Sequence, residues 1–217
     1  MKIIDLSHSI KNNMPCFGAK WHITTLLEQM GTIKEVGRNT TKLVLGSHAG
    51  THIDSPAHFI QDGRTIDQIP LEELVGKVTI VDFSHLKENH PIEPQMLSGI
   101  DITSKMIFYF DWAKKFKNAD FYKNYPYFTQ KTADFLIKNG VKLIGMDTPS
   151  PDDSRTKLGS EEDSIIHKKF LQNNVILIEY LNNLDQITDF EGWTLVAMPL
   201  KLENCDGSPA RIFIYKE

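Results

Sequence analysis

Residues 48–58 read "HAGTHIDSPAH" and place three histidines and an aspartate within eleven positions. The residues between them restrict how any fold can display them. Gly50, the β-branched Thr51 and Ile53, and Pro56 all disfavour a helix. The segment is therefore expected to run as a strand and to turn at Ser55-Pro56. In an extended chain, residues at even spacing project to one face, so His48, His52 and Asp54 converge. A triad carried on one strand needs partners from elsewhere in the fold.

Neutral imidazole and carboxylate are zinc ligands, and they also suit manganese or ferrous iron. Three such ligands leave a position for water, whose pKa zinc can lower to roughly 7, supplying hydroxide at neutral pH. The chemistry expected is hydrolysis. His58 lies beyond Pro56, where strand geometry no longer dictates its direction. It reads either as a fourth ligand or as the general acid and base, a task that suits a group titrating near neutrality. Gly50 would let backbone approach a ligand, and the Thr51 hydroxyl is expected to orient an imidazole. The isolated His8, His22, His85 and His90 read as ordinary surface or core residues.

The 217 residues include 24 basic and 28 acidic side chains, a net charge of −4. With no dense Lys/Arg block, a nucleic-acid or membrane-surface role is not expected. Cys16 and Cys205 form no CxxC pattern, so neither a disulfide framework nor a cysteine-rich zinc site is indicated. No signal-peptide pattern and no apolar run of membrane-spanning length is seen, and the expected location is the cytoplasm.

Strand-like runs cover 3–7, 22–27, 41–47, 77–83, 106–110, 141–147, 175–181, 194–200 and 211–215. Helices are expected at Thr129–Asn139, with Gly140 as its stop, and at about Ser160–Gln172, whose acidic start and basic end suit the helix dipole. Strands dominate the first third, and helix and strand alternate afterwards. The pattern predicts a single mixed-sheet α/β domain over 1–217, with antiparallel elements near the N-terminus.

Two later segments offer the missing partners. His167 lies on the second predicted helix, and Glu179 breaks the apolar run "VILIEYL", where a buried charge needs compensation. With Asp54 bridging, His167 and Glu179 would hold a second ion about 3.5–4 Å from the first, as in two-metal hydrolases. Taken alone, the two residues also fit an exposed helix position and a sheet edge. The segment "GMDTPSPDD" (145–153) ends a strand with Asp147, Ser150, Asp152 and Asp153, at the kind of loop where α/β proteins seat ligands. Asp147 would orient a metal-binding histidine or build the turn; Ser150 is a candidate substrate contact.

"HAGTHIDSPAHF" resembles the HxGTHxDxPxHF signature of the cyclase family of metal-dependent hydrolases, which includes kynurenine formamidase (arylformamidase) and isatin hydrolase. "DLSHSIKNNMP", "GMDTPSPD" and "HKKFLQNNVILIEYLNNL" resemble further family segments in the right order. The resemblance implies a swivelling β/β/α fold, usually dimeric or tetrameric. It also implies metal ligands at His48, His52 and Asp54, with a second set at His167 and Glu179, and His58 as acid and base. The chain departs from the family after "MP", reading "CFGAKWHI" in a region that contributes to the substrate pocket. Phe17, Trp21 and Phe59 are candidate aromatic walls, as is the insertion-like 111–128. The expected cofactor is one or two divalent ions, zinc first and manganese second. The expected substrate is an aromatic amide, N-formylkynurenine being the first to try. The rivals are a lactam or cyclic-ester hydrolase and a silent metal-binding homologue. A phosphoesterase is disfavoured, because no basic residue falls within 46–60.

Overall fold

The computed structural model describes residues 1–19 and 22–217. Its strands in chain order are β1 (Lys2–Asp5), β2 (Leu26–Gly31), β3 (Thr40–Val44), β4 (His52–Asp54), β5 (Val75–Lys77), β6 (Thr79–Asp82), β7 (Pro91–Ile92), β8 (Lys105–Tyr109), β9 (Tyr127–Phe128), β10 (Leu143–Met146), β11 (Ile176–Glu179), β12 (Thr194–Pro199) and β13 (Gly207–Lys216). The helices are α1 (Ile33–Val36), α2 (Leu71–Leu74), α3 (Gln130–Lys138) and α4 (Ile165–Gln172). The mixed α/β class expected from the alternating pattern is what the chain adopts.

One sheet runs β5-β12-β13-β4-β11-β10-β8-β6, with β1 paired to β13. β6, β8, β10 and β11 run parallel to one another. β4 is antiparallel to both β11 and β13 and joins the parallel half to the antiparallel half. All five residues of β8 are buried, as expected of a parallel strand covered on both faces. Its side chains alternate: Met106 and Phe108 enter the core that also holds Phe128 and Phe170, whereas Ile107 packs with Ile53, Ile178 and Trp193 on the other face.

The same alternation fixes the polar face. In β11, Leu177 faces the first core and Ile176 and Ile178 the second, so Glu179 shares the side of Leu177. In β4, Ile53 enters the second core, which leaves His52 and Asp54 on the side of Glu179. The register sets Glu179 opposite His52 and Leu177 opposite Asp54.

Helix α3 matches the expected span, with Thr129 capping through the N–H of Thr132 and Gly140 in the left-handed region at φ 82°. Helix α4 starts at Ile165, five residues later than expected. Its first N–H groups are taken by Asp152: Ile166 N donates to Oδ1 at 2.6 Å and His167 N to Oδ2 at 3.1 Å. The cap comes from a distant loop rather than from the local acidic run. β2 begins four residues later than expected and pairs only with β3, as a separate two-stranded arm. Leu26, Met30, Ile33, Val36 and Leu43 are exposed on it.

Asp147 proves to be a staple rather than a histidine partner. It accepts from the backbone N–H groups of Phe110 (2.9 Å), Trp112 (2.7 Å) and Ala113 (3.3 Å), which fixes the start of the 111–128 segment. Its position at the end of β10 turns it toward the neighbouring β8 chain, away from the imidazoles. Asp147→Ala leaves buried donors unsatisfied, at about 1–3 kcal/mol for each. A loss of at least about 2 kcal/mol in urea unfolding is expected, and an unchanged midpoint would refute the staple.

Candidate metal centre

β4, β11 and α4 converge at one end of the sheet. His52 Nδ1 donates to the carbonyl of Gly50 at 2.7 Å, which turns Nε2 toward Asp54 Oδ1 (3.2 Å) and Glu179 Oε2 (3.4 Å). A backbone carbonyl only accepts, so Nε2 is the atom left for the site. Gly50 makes this turn at φ 65°, and a Cβ there would lie 2.8 Å from Met14 Cε. The turn also places His48 ahead of β4 rather than on it, so His48 reaches the group through a bend and not through strand alternation. Its Nδ1 lies 2.7 Å from Asp54 Oδ1. Gly207 lets the ring approach, since a Cβ there would sit 3.0 Å from His48 Cε1.

His167 closes the other side. Its Nδ1 meets Asp152 Oδ2 at 2.6 Å, and its Nε2 lies 2.9 Å from Glu179 Oε1 and 3.6 Å from Asp54 Oδ2. Asp152, supported by the Ser150 hydroxyl accepting its N–H at 3.0 Å, performs the orienting task expected of Asp147. Thr51 corrects a second expectation. Its hydroxyl donates to Tyr180 O at 2.7 Å and accepts from His8 N at 2.8 Å, so it ties backbone together and hydrogen-bonds to no imidazole among the described residues.

Asp54 is 0% exposed and Glu179 4%. Among the described residues, both oxygens of Asp54, Glu179 Oε1 and His52 Nε2 are buried without a hydrogen bond. Their close approaches are electrostatic and do not follow hydrogen-bond directions. Two triads, His48–His52–Asp54 and Asp54–His167–Glu179, bring their ligand atoms within 4.8 Å of one another, and Asp54 belongs to both. Buried acceptors without donors, beside imidazole nitrogens, form the donor set of a divalent cation, and these residues fit one.

Protonation supplies the positive charge in the ion-free chain. Burial opposes it most strongly at His48 and His52, yet the neighbouring carboxylates, Asp54 above all, raise them to about 9 and about 10. Burial likewise opposes it at His167, which Glu179, Asp152 and Asp54 hold well above the ordinary range. Burial alone would raise Asp54, but His48 and His52 keep it well below its usual value.

A cavity of about 300 Å³ opens onto these groups, lined in part by Phe17, His58, Phe59, Tyr122, Ser150 and Tyr180. Trp21 lies outside the described residues. His58 ends the 3-10 turn Pro56–His58, and its ring lies 4.0 Å from that of His48. Asp206 was not singled out in the sequence. Its Oδ2 lies 2.7 Å from His48 Nε2 and 3.1 Å from His58 Nδ1, and those two contacts hold its carboxyl well below the usual range. It stands 148 residues from His58 with no local pattern to mark it. Tyr122 and Tyr125 on the cavity belong to the 111–128 segment expected to supply aromatic walls, whereas Tyr180 and His22 carry no such mark in the sequence.

A buried carboxylate and histidine cluster beneath an aromatic-walled cavity defines a metal-site scaffold, and the comparisons give it a family. The model of the family described as "Putative cyclase" matches residues 4–153. The kynurenine formamidase of Bacillus cereus is 28% identical over 217 residues, covering 97% of this chain and 96% of the relative. That of Bacillus anthracis is 29% identical, covering 98% and 97%. The solved isatin hydrolase A from Ralstonia solanacearum superposes with a TM-score of 0.87 at 22% identity, covering 100% of this chain and 92% of that one. The chain belongs to the cyclase family.

Metal binding requires neutral imidazoles, so loading must expel protons. In the ion-free chain the raised histidine pKa values contribute stability that is fully present below 6.5 and lost as pH rises through about 9 to 10. Metal affinity has the opposite trend and rises over that window. Calorimetric titration with zinc to saturation at pH 7, in buffers of different ionisation enthalpy, is expected to report release of about three protons per chain, one from each of His48, His52 and His167. A heat independent of buffer would contradict this.

Proposed function

We propose that the protein is a metal-dependent hydrolase of amide-type C–N bonds, with an aryl formamide of the N-formylkynurenine type as its substrate. The observation that carries this reading is the pair of buried carboxylates, Asp54 and Glu179, three of whose oxygens (both of Asp54 and Oε1 of Glu179) lack donors beside a cavity that Glu179 and His58 line. The kynurenine formamidases similar to it over nearly their whole length support the choice of bond.

His48, His52 and Asp54 would hold one ion, and Asp54, His167 and Glu179 a second. Imidazole and carboxylate favour zinc, with manganese as the alternative. A bound divalent ion supplies Lewis acidity and lowers the pKa of water it coordinates. His58 takes the proton from the attacking water and returns it to the leaving nitrogen. Phe17 and Phe59 pack against the aryl group, and Ser150 lines the polar end. Asp152 keeps the Nε2 of His167 directed at the carboxylates. The exposed apolar side chains of the β2–β3 arm support a homodimer or homotetramer, and two free cysteines are compatible with a reducing cytoplasm.

The test is a formamidase assay of zinc- or manganese-loaded protein, wild type against His58→Ala, with a five-membered lactam and a phosphate ester run in parallel. Hydrolysis of the aryl formamide and a fall of about 100-fold or more in kcat at unchanged metal content are expected. Lactam opening without formamide hydrolysis would replace the substrate assignment, and full activity in the variant would remove His58 from the mechanism.

A further inference from the structure

Asp206 immediately precedes β13, and its main chain is laced to the turn that carries His58. Its carbonyl accepts from Ser55 N at 3.0 Å and from Ser55 Oγ at 2.8 Å. Its side chain is 41% exposed, but one oxygen, Oδ2, is committed to two imidazoles: His48 Nε2 at 2.7 Å and His58 Nδ1 at 3.1 Å. The two rings meet at 4.0 Å with 36° between their planes. A single carboxylate oxygen thus joins a residue of the first metal triad to the residue at the cavity wall.

An ionised carboxylate can only accept, so each nitrogen facing it carries the hydrogen. For His58 this places the proton on Nδ1 and leaves Nε2 as the lone pair available for proton transfer. For His48 it reserves Nε2 and leaves Nδ1, the atom 2.7 Å from Asp54 Oδ1, for the ion. A metal-ligating histidine ordinarily donates its other N–H to such a group, and a catalytic base ordinarily has a third group that orients it. Asp206 meets both conditions with the same atom.

We propose that Asp206 is a positioning residue that sets the tautomers of His48 and His58 together, aligning a metal-site imidazole with the acid and base. The third cluster of ligand-type atoms, His48–His58–Asp206, is on this view an orienting group and not a further ion site. The kinetic part of the proposal rests on the hydrolase reading above, whereas the tautomer assignment does not.

The experiment compares zinc-saturated wild type and Asp206→Asn, which preserves shape while replacing one acceptor oxygen by a donor. Long-range ¹H–¹⁵N spectra of the histidine rings are expected to place the His58 proton on Nδ1 in the wild type, and to show loss of that single tautomer in the variant. The zinc-to-chain ratio at saturation is expected to be unchanged. With the aryl formamide, kcat is expected to fall by about 10- to 100-fold with KM within about twofold, and Asp206→Asn should add little further loss in the His58→Ala background. An unchanged His58 tautomer overturns the proposal. So does loss of one zinc equivalent, which would make Asp206 a ligand. If no amide is hydrolysed, the substrate reading fails while the spectra still decide the role of Asp206.

Discussion

Two carboxylates buried side by side on one face of a sheet set the conditions for the rest of this structure. Asp54 and Glu179 lie on adjacent antiparallel strands, two register positions apart and so on the same face, where like charges and desolvation both oppose ionisation. Nothing in an apolar core would tolerate them alone. The chain surrounds them with His48, His52 and His167, which take up protons in the absence of an ion and can exchange them for a divalent cation. The pair is a cost to folding that becomes a binding site.

The surrounding elements can be understood as means of aiming nitrogen atoms. Gly50 folds its carbonyl back onto His52 Nδ1, Asp152 holds His167 Nδ1 while capping α4, and Asp206 holds His48 and His58. At His48, His52 and His167 the contact directs the opposite ring nitrogen toward Asp54 or Glu179. Two of these acceptors also organise backbone, Asp152 at the start of α4 and Asp206 at the Ser55 turn. Misplacing either would loosen the fold and the site at once.

Much of this was legible in the sequence because it follows from short periods. His52 and Asp54 two apart on a strand, and Leu177 and Glu179 two apart on another, declare their shared faces. Thr51 precedes His52 by one position, and its hydroxyl turns instead to the backbone of Tyr180. The bend at Gly50, which brings His48 in from outside the strand, needs a left-handed residue whose consequence depends on Met14 packing behind it. Asp147 and Asp152 lie in one loop and look interchangeable in sequence. Only the order of β8, β10 and β11 in the sheet decides that the first meets backbone N–H groups and the second meets His167. Asp206 had no signal of its own, since its neighbours in space come from a turn more than a hundred residues earlier.

Because the two triads share Asp54, the central claim is one about charge: the buried carboxylates exist to hold a cation. Elemental analysis of the purified chain after supplementation with zinc tests it most directly. The account predicts at least one zinc per chain, approaching two at saturation, with the ratio falling when Asp54 is replaced by Asn. A ratio near zero after supplementation would contradict it.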